Sequence, residues 1–177
     1  MLLVILSPLF TVIAIAVRVT SAGPIIYRQV RIGKDGKKFT IFKFRSMRDN
    51  SRREGADLVA VDDERLTRIG RLLRRTGLDE LPQLWNVLTG SMTLVGPRPV
   101  MPEVASEILE RDGKYRLRFE ILPGITGESQ ILGYFNDPKD YEQSLKCDLD
   151  YIRGRSLLGD LRILARTIPL VLRGRGH

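Results

Sequence analysis

The sequence predicts an α/β (α+β) fold: a helix-rich domain with one small β-hairpin, held monotopically in a single membrane leaflet. Three observations predict it. An apolar N-terminal run is interrupted by Ser7-Pro8, β-branched and aromatic residues flank the turn residues Lys34-Asp35-Gly36, and two basic segments carry Leu and Ile at helical spacing. The 177 residues suit one domain, 1–177, and 43% hydrophobic residues are enough for a core. No internal repeat, low-complexity tract or second-domain linker divides the chain.

The first element is "MLLVILSPLFTVIAIAVRV", apolar from Met1 to Val17 apart from Ser7, Pro8 and Thr11. It falls short of the roughly 20 residues that span a bilayer, and Pro8 removes a helix hydrogen bond near its middle. No basic residue precedes it, as a secretory signal would require. A buried helix of a soluble core is one reading. The preferred one is a re-entrant membrane helix over 1–22, broken at Ser7-Pro8, where the Ser7 hydroxyl can satisfy a carbonyl freed by the proline. Residues 23–177 then form the cytoplasmic part.

"GPIIYRQVRIGKDGKKFTIFKFRSM" reads as the hairpin. In its second strand Phe39, Ile41, Lys43, Arg45 and Met47 alternate onto one face, so two cations share it. They suit either a solvated edge or a phosphate site. Residues 49–64 are polar and turn-rich, hence a loop. "RLTRIGRLLRR" has Leu66, Ile69, Leu72 and Leu73 at helical spacing, with arginines at 65, 68, 71, 74 and 75 that could reach lipid headgroups. At the other end, "RSLLGDLRILARTIPLVLRGRGH" puts Arg155, Arg162, Arg166 and Arg173 along one side of an interfacial helix bent at Pro169.

Lys and Arg number 29 against 21 Asp and Glu, a formal charge of +8, which points to phosphate-bearing partners. Cys147 is the single cysteine and His177 the single histidine, so a Cys/His zinc site or a Ser/His/Asp triad would lack members. Any catalysis must use carboxylates, amines, hydroxyls or an oxygen-held metal. Few aromatics interleave with the basic residues, which argues against nucleic acid as partner. A non-catalytic membrane-surface scaffold would explain the charge and the apolar ends, but leaves Asp79-Glu80 as coincidence.

That pair opens "LDELPQLWNVLTGSMTLVGPRP", residues 78–99. Pro82 is tolerable only in a first helical turn, after which Leu81, Leu84, Trp85 and Leu88 form an apolar stripe ending near Gly90. Asp79 and Glu80 sit at the positive end of that helix, where Asp79 suits an N-cap and the pair suits a divalent cation bridging to a diphosphate. Pro97 and Pro99 stiffen the backbone of Arg98, a guanidinium suited to bidentate phosphate binding as well as to an ordinary loop.

The Ser-Pro pair, "YRQVRIG", "FTIFKFRSM", "LDELPQLWNVLTGSMTLVGPRP", "PGITG" and "DLDYIRGRSLLGDLRIL" together resemble the monotopic phosphoglycosyl transferases, also called bacterial sugar transferases or polyprenol-phosphate hexose-1-phosphate transferases. The resemblance runs nearly end to end. It implies transfer of a sugar phosphate from a UDP-sugar to a polyprenol phosphate with release of UMP, the initiating step of bacterial glycoconjugate synthesis on the cytoplasmic face of the inner membrane. It also implies that Asp79 is the nucleophile and Glu80 its partner near Mg²⁺. Arg98, Arg45, Lys43 and Arg74 would bind phosphate oxygens, and Asp148, at an acidic position of the tail motif, either orients one of these cations or is a surface carboxylate. Membrane lipids are the remaining partner, and a homodimer is left open. The family's usual Asp after the glycine of "GDMS" is Ser91 here, and its usual "WAQ" after "PGITG" is Glu128-Ser129-Gln130.

Overall fold

The computed structural model describes residues 2–48, 63–111, 113–134 and 141–172. Met1, most of the expected 49–64 loop, Arg173 and His177 lie outside the described residues.

Helix α1 (Leu2–Thr20) continues through Pro8. Proline has no N–H to offer the Val4 carbonyl four residues back, and the Ser7 hydroxyl donates to that carbonyl at 2.7 Å, as the Ser-Pro pair predicts. Phe10, Ile13, Ala14 and Val17 share one stripe and pack against Phe44, Ile69, Leu73, Leu78 and Leu81. Val4, Ile5, Val12, Ile15 and Val19 are exposed. Within this chain one stripe of α1 is packed and most of its remaining apolar side chains are exposed. Among the described residues no helix is long and apolar enough to cross a membrane.

Strands β1 (Ile26–Ile32) and β2 (Lys38–Phe44) pair antiparallel, with Tyr27 opposite Lys43 and Arg31 opposite Phe39. The connection turns at Asp35 (φ 58°) and Gly36 (φ 70°), in the left-handed region that Asp tolerates and Gly favours. Tyr27, Gln29 and Arg31 thereby share a face with Phe39, Ile41 and Lys43. The strand ends at Phe44, so Arg45 falls beyond the alternation that would pair it with Lys43.

Helix α2 (Arg68–Thr76) starts later than its leucine spacing suggests, because the Thr67 hydroxyl caps it by accepting from Gly70 N at 2.8 Å while Leu66 bridges to Met47. Leu73 is buried and Leu72 exposed. Its flanking arginines do not all face outward: Arg65 pairs with Asp63 at 2.6 Å, holding that carboxyl down at about 2, and Arg74 turns inward. Gly77, with φ 65°, then reverses the chain into the 3₁₀ turn Leu78–Glu80, and Pro82 leads into α3 (Gln83–Leu88).

The expected apolar stripe is split: Leu81 packs into the α1 cluster, Leu84 is half-buried, and Trp85 and Leu88 face out. Trp85 is 54% and Leu88 67% exposed, whereas Gln83 and Asn86 are buried. The reason is Asn86, whose amide donates to the Thr40 carbonyl at 2.7 Å and accepts from Phe42 N at 3.3 Å, so it occupies the open edge of β2 as another strand would.

Strands β3 (Thr93–Val95) and β4 (Gly124–Thr126) pair parallel and bring "VGPRP" against "PGITG". A Cβ on Gly124 would lie 2.1 Å from Gly96 N, and one on Gly127 2.4 Å from the Gly96 carbonyl, so these glycines are there for backbone approach. Helices α4 (Pro102–Arg111) and α6 (Tyr141–Gly154), with the 3₁₀ segment Gly113–Phe119, enclose Val100, Ile108, Tyr115, Phe119, Leu145 and Leu149. Short α5 (Glu128–Ile131) and long α7 (Leu157–Leu172) close a second cluster around Val95, Tyr151 and Ile163. Helix α7 runs on through Pro169 to Leu172; Arg162, Arg166, Leu158, Leu161 and Ile168 are exposed on it, and Arg155 precedes it. The Tyr151 hydroxyl donates to Asp160 at 2.8 Å, and burial together with this bond pushes its pKa up to about 12.

Because the Gly124–Gly96 approach is backbone on backbone, no side chain can yield. Gly124→Ala should cost about 3 kcal/mol, a fall of about 6–12 °C in Tm. Gly154→Ala, where a Cβ meets nothing within 4 Å, should leave Tm within about 2 °C. Thermal unfolding of the two variants in one detergent is the check.

Candidate active site

Glu80 is the centre of the site. It is 4% exposed, and its Oε1 takes Lys43 Nζ at 2.6 Å and Arg98 Nη2 at 3.0 Å. Lys43 comes from the hairpin and Arg98 from the loop after β3, so one carboxylate oxygen ties together two elements 55 positions apart. Arg31, Ile41, Gln83 and Pro99 complete the walls of the small cavity around these three groups.

Asp79 is 3% exposed and occupies the same 3₁₀ turn. Its charge acts on both Arg74 and Lys43. Burial works against the charge on Arg74, Asp79 restores part of it, and Arg74 Nε donates to the Ser46 hydroxyl at 3.1 Å. Burial also lowers Lys43 below the usual 10.5, against the opposing attraction of Glu80. Two carboxylates thus face three cations, Lys43, Arg74 and Arg98. The surplus of positive charge suits a phosphate-bearing ligand.

Two residues named from the sequence are placed elsewhere. Arg45 donates to the carbonyls of Ser21 at 2.5 Å and Ala22 at 2.9 Å, fastening the end of α1 to the hairpin. Asp148 is not a surface carboxylate: it is 3% exposed, pairs with Arg118 at 2.9 Å and accepts from Ser129 Oγ at 3.2 Å. Burial raises its pKa above the ordinary carboxylate value, and Arg118 and Ser129 oppose that rise. The cation that Asp148 orients is Arg118, whose Nη2 donates to the Arg98 carbonyl at 2.9 Å.

Sequence reasoning missed Arg31, Gln83, Asn86 and Arg118. The parity of β1 could have found Arg31, since it shares a face with Gln29 and Tyr27. The spacing of Asp79, Gln83 and Asn86, four and then three apart, is a polar stripe at helical period. For Arg118, inside "KYRLRFE", no local signal separates it from the exposed Arg116. The departures Ser91 and Ser129 are structural: Ser91 Oγ donates to the Asn86 carbonyl at 3.1 Å at the end of α3, and Ser129 meets Asp148.

Among the described residues no three or more His, Cys, Asp or Glu gather as a metal site. Asp79 and Glu80 are two adjacent carboxylates, the donor type of which Mg²⁺ takes one or two.

A family model described as bacterial sugar transferase matches residues 1–174. A UDP-glucose:undecaprenyl-phosphate glucose-1-phosphate transferase of Klebsiella pneumoniae is 42% identical over 95% of this chain, which covers 37% of that protein. A UDP-N-acetylgalactosamine-undecaprenyl-phosphate N-acetylgalactosaminephosphotransferase of Aeromonas hydrophila is 39% identical over 96% of this chain and 40% of its own length. An uncharacterized sugar transferase of Bacillus subtilis, EpsL, is 39% identical, with 95% of this chain and 79% of that protein covered. The chain thus spans about two fifths of the first two relatives.

Lys43 gives the site a testable pH dependence. A lysine whose pKa is lowered goes neutral as pH rises while an ordinary lysine is still charged, and neutral Lys43 can no longer balance Glu80 or a phosphate. Turnover should therefore decline on the alkaline side below pH 10.5. In Lys43→Arg, which holds its proton throughout, that decline should move to higher pH even if peak activity is lower. Superimposable alkaline limbs in a kcat/KM profile would remove Lys43 from the titration.

Proposed function

The chain belongs to the bacterial sugar transferase family, and from that premise we propose that it moves a sugar-1-phosphate from a UDP-sugar to a polyprenol phosphate through a covalent intermediate on Asp79. The observation that carries this reading is the buried pair itself: Asp79 beside Glu80, with Lys43, Arg74 and Arg98 gathered around them. The chemistry of the relatives' named reactions requires charge compensation at a diphosphate and a nucleophile for phosphorus, and this cluster can supply both.

In the first step an Asp79 carboxylate oxygen attacks the phosphorus that bears the sugar. An O–P bond forms to Asp79, the bond to the bridging oxygen breaks, and UMP leaves with that oxygen's electron pair. In the second step a phosphate oxygen of the polyprenol phosphate attacks the same phosphorus, the Asp79–phosphorus bond breaks, and the carboxylate is regenerated. Asp79 and Glu80 would hold Mg²⁺, which when bound screens the charge of the diphosphate. Arg98 grips phosphate oxygens, Lys43 balances them, and Arg74 places a positive charge beside Asp79. No proton transfer to carbon or nitrogen is involved, which suits a site without histidine.

The membrane reading completes the proposal. A polyprenol phosphate presents its headgroup at the interface, and the bare apolar surface of α1 and the outward Leu158, Leu161 and Ile168 of α7 suit a re-entrant helix and an interfacial helix on the cytoplasmic leaflet. The relatives named above act on different sugars, so the sugar is a matter for assay.

A panel of UDP-sugars with undecaprenyl phosphate and Mg²⁺, scored for UMP, tests the reaction. One sugar should turn over, and Asp79→Asn should reduce its rate at least about 1,000-fold, since an amide cannot serve as the anionic nucleophile. Retention of more than about a tenth of wild-type turnover in Asp79→Asn would remove the covalent route.

A further inference from the structure

The loop that carries Arg98 is held by two other arginines, from two different elements and at consecutive carbonyls. Arg118 Nη2 donates to the carbonyl of Arg98 itself at 2.9 Å, and Arg31 Nη1 donates to the carbonyl of Pro99 at 3.1 Å. Both guanidiniums are buried, and each is anchored behind. Arg118 pairs with Asp148, whose other oxygen takes Ser129, and Arg31 Nη2 donates to Gln29 Oε1 at 2.6 Å. A third tie, Ile32 N to the Val100 carbonyl at 2.9 Å, fixes the next residue of the loop. Pro97 and Pro99 fix the intervening φ angles, so the loop has little freedom besides that which these bonds remove.

We propose that Arg31 and Arg118 are positioning residues that set the place of the Arg98 guanidinium over Glu80, so that diphosphate recognition by Arg98 depends on two arginines that need not touch substrate. The argument is one of geometry and charge. Two buried cations bound to carbonyls are a costly way to hold a loop, since neutral donors could hold the same oxygens without desolvating a charge. Their positive charge also stands next to the site, where it favours an anionic ligand and raises the strength of each loop bond. Removing the fork of either arginine releases a carbonyl and lets the Arg98 backbone drift, and a displacement of about 1 Å at a phosphate-binding guanidinium weakens its bidentate contact.

This inference rests on the proposed reading of Arg98 as a diphosphate ligand, and its test separates the two. Equilibrium affinity for UDP in the presence of Mg²⁺ is measured for wild type, Arg118→Lys, Arg98→Ala and the double variant, with turnover of the cognate UDP-sugar recorded alongside. Both contacts of Arg118 run through Nη2, and the shorter lysine can keep its charge against Asp148 without carrying a donor as far as the Arg98 carbonyl. Arg118→Lys should weaken UDP binding about tenfold when Arg98 is present and less than about twofold when it is absent, because its effect runs through Arg98. Equal losses in both backgrounds would overturn the inference while leaving the parent reading intact. Wild type that neither binds UDP nor releases UMP would overturn the reading and the inference together. If Arg118→Lys does not fold, Arg31→Gln gives the same cycle from the hairpin side, with the same pattern expected and the same additive result against it.

Discussion

A buried carboxylate has to be compensated, and here one oxygen of Glu80 is compensated twice. Lys43 and Arg98 reach it from a hairpin strand and a proline-bracketed loop, elements that the Arg31–Pro99 and Ile32–Val100 hydrogen bonds also tie together. Left alone, Glu80 would be an uncompensated charge at 4% exposure, a cost of several kcal/mol. Together with those hydrogen bonds, its pairing sets the distance between the hairpin and the loop, and with it the cavity between them. Asp79, one residue earlier in the same tight turn, inherits that position.

The rest of the architecture serves this turn. Gly77 reverses the chain at the end of α2, Pro82 starts α3, and Asn86 docks α3 on the edge of β2. The docking is polar, and so the helix is inverted, with Gln83 and Asn86 inside and Trp85 and Leu88 outside. The same preference shows in α1, where one stripe packs and the remaining apolar side chains stay bare. Under the proposed membrane placement these apolar surfaces would meet lipid, where an exposed Val or Trp costs little. The parallel pair β3 and β4 adds a rigid base: its glycines let two backbones approach closely enough to carry Arg98 outward on a short, stiff loop.

Much of this was legible from residues close together in the chain. The Ser7-Pro8 bond pattern, the hairpin about Asp35-Gly36, and the turn before Pro82 all follow from local rules of backbone and proline chemistry. Asp79, Glu80, Lys43, Arg74 and Arg98 were named from motif and charge, and the fold brings them together. What was not legible depends on contacts between distant segments. Arg45 was grouped with Lys43 by strand alternation, yet the strand ends one residue too early. The apolar stripe of α3 was visible, but its direction is set by hydrogen bonds to Thr40 and Phe42, more than 40 positions away. Arg118 and Asp148 find one another across 30 positions, and nothing in either neighbourhood announces a buried pair.

The central claim is that Asp79 becomes covalently linked to the phosphosugar. The most direct measurement is the mass of the intact protein, and then of its peptides, after incubation with its UDP-sugar and Mg²⁺ in the absence of any lipid acceptor. The account predicts one added sugar-phosphate, located on the peptide that contains Asp79, and its disappearance when polyprenol phosphate is supplied. An unmodified protein under conditions where the complete reaction proceeds, or an adduct on a peptide without Asp79, would contradict it.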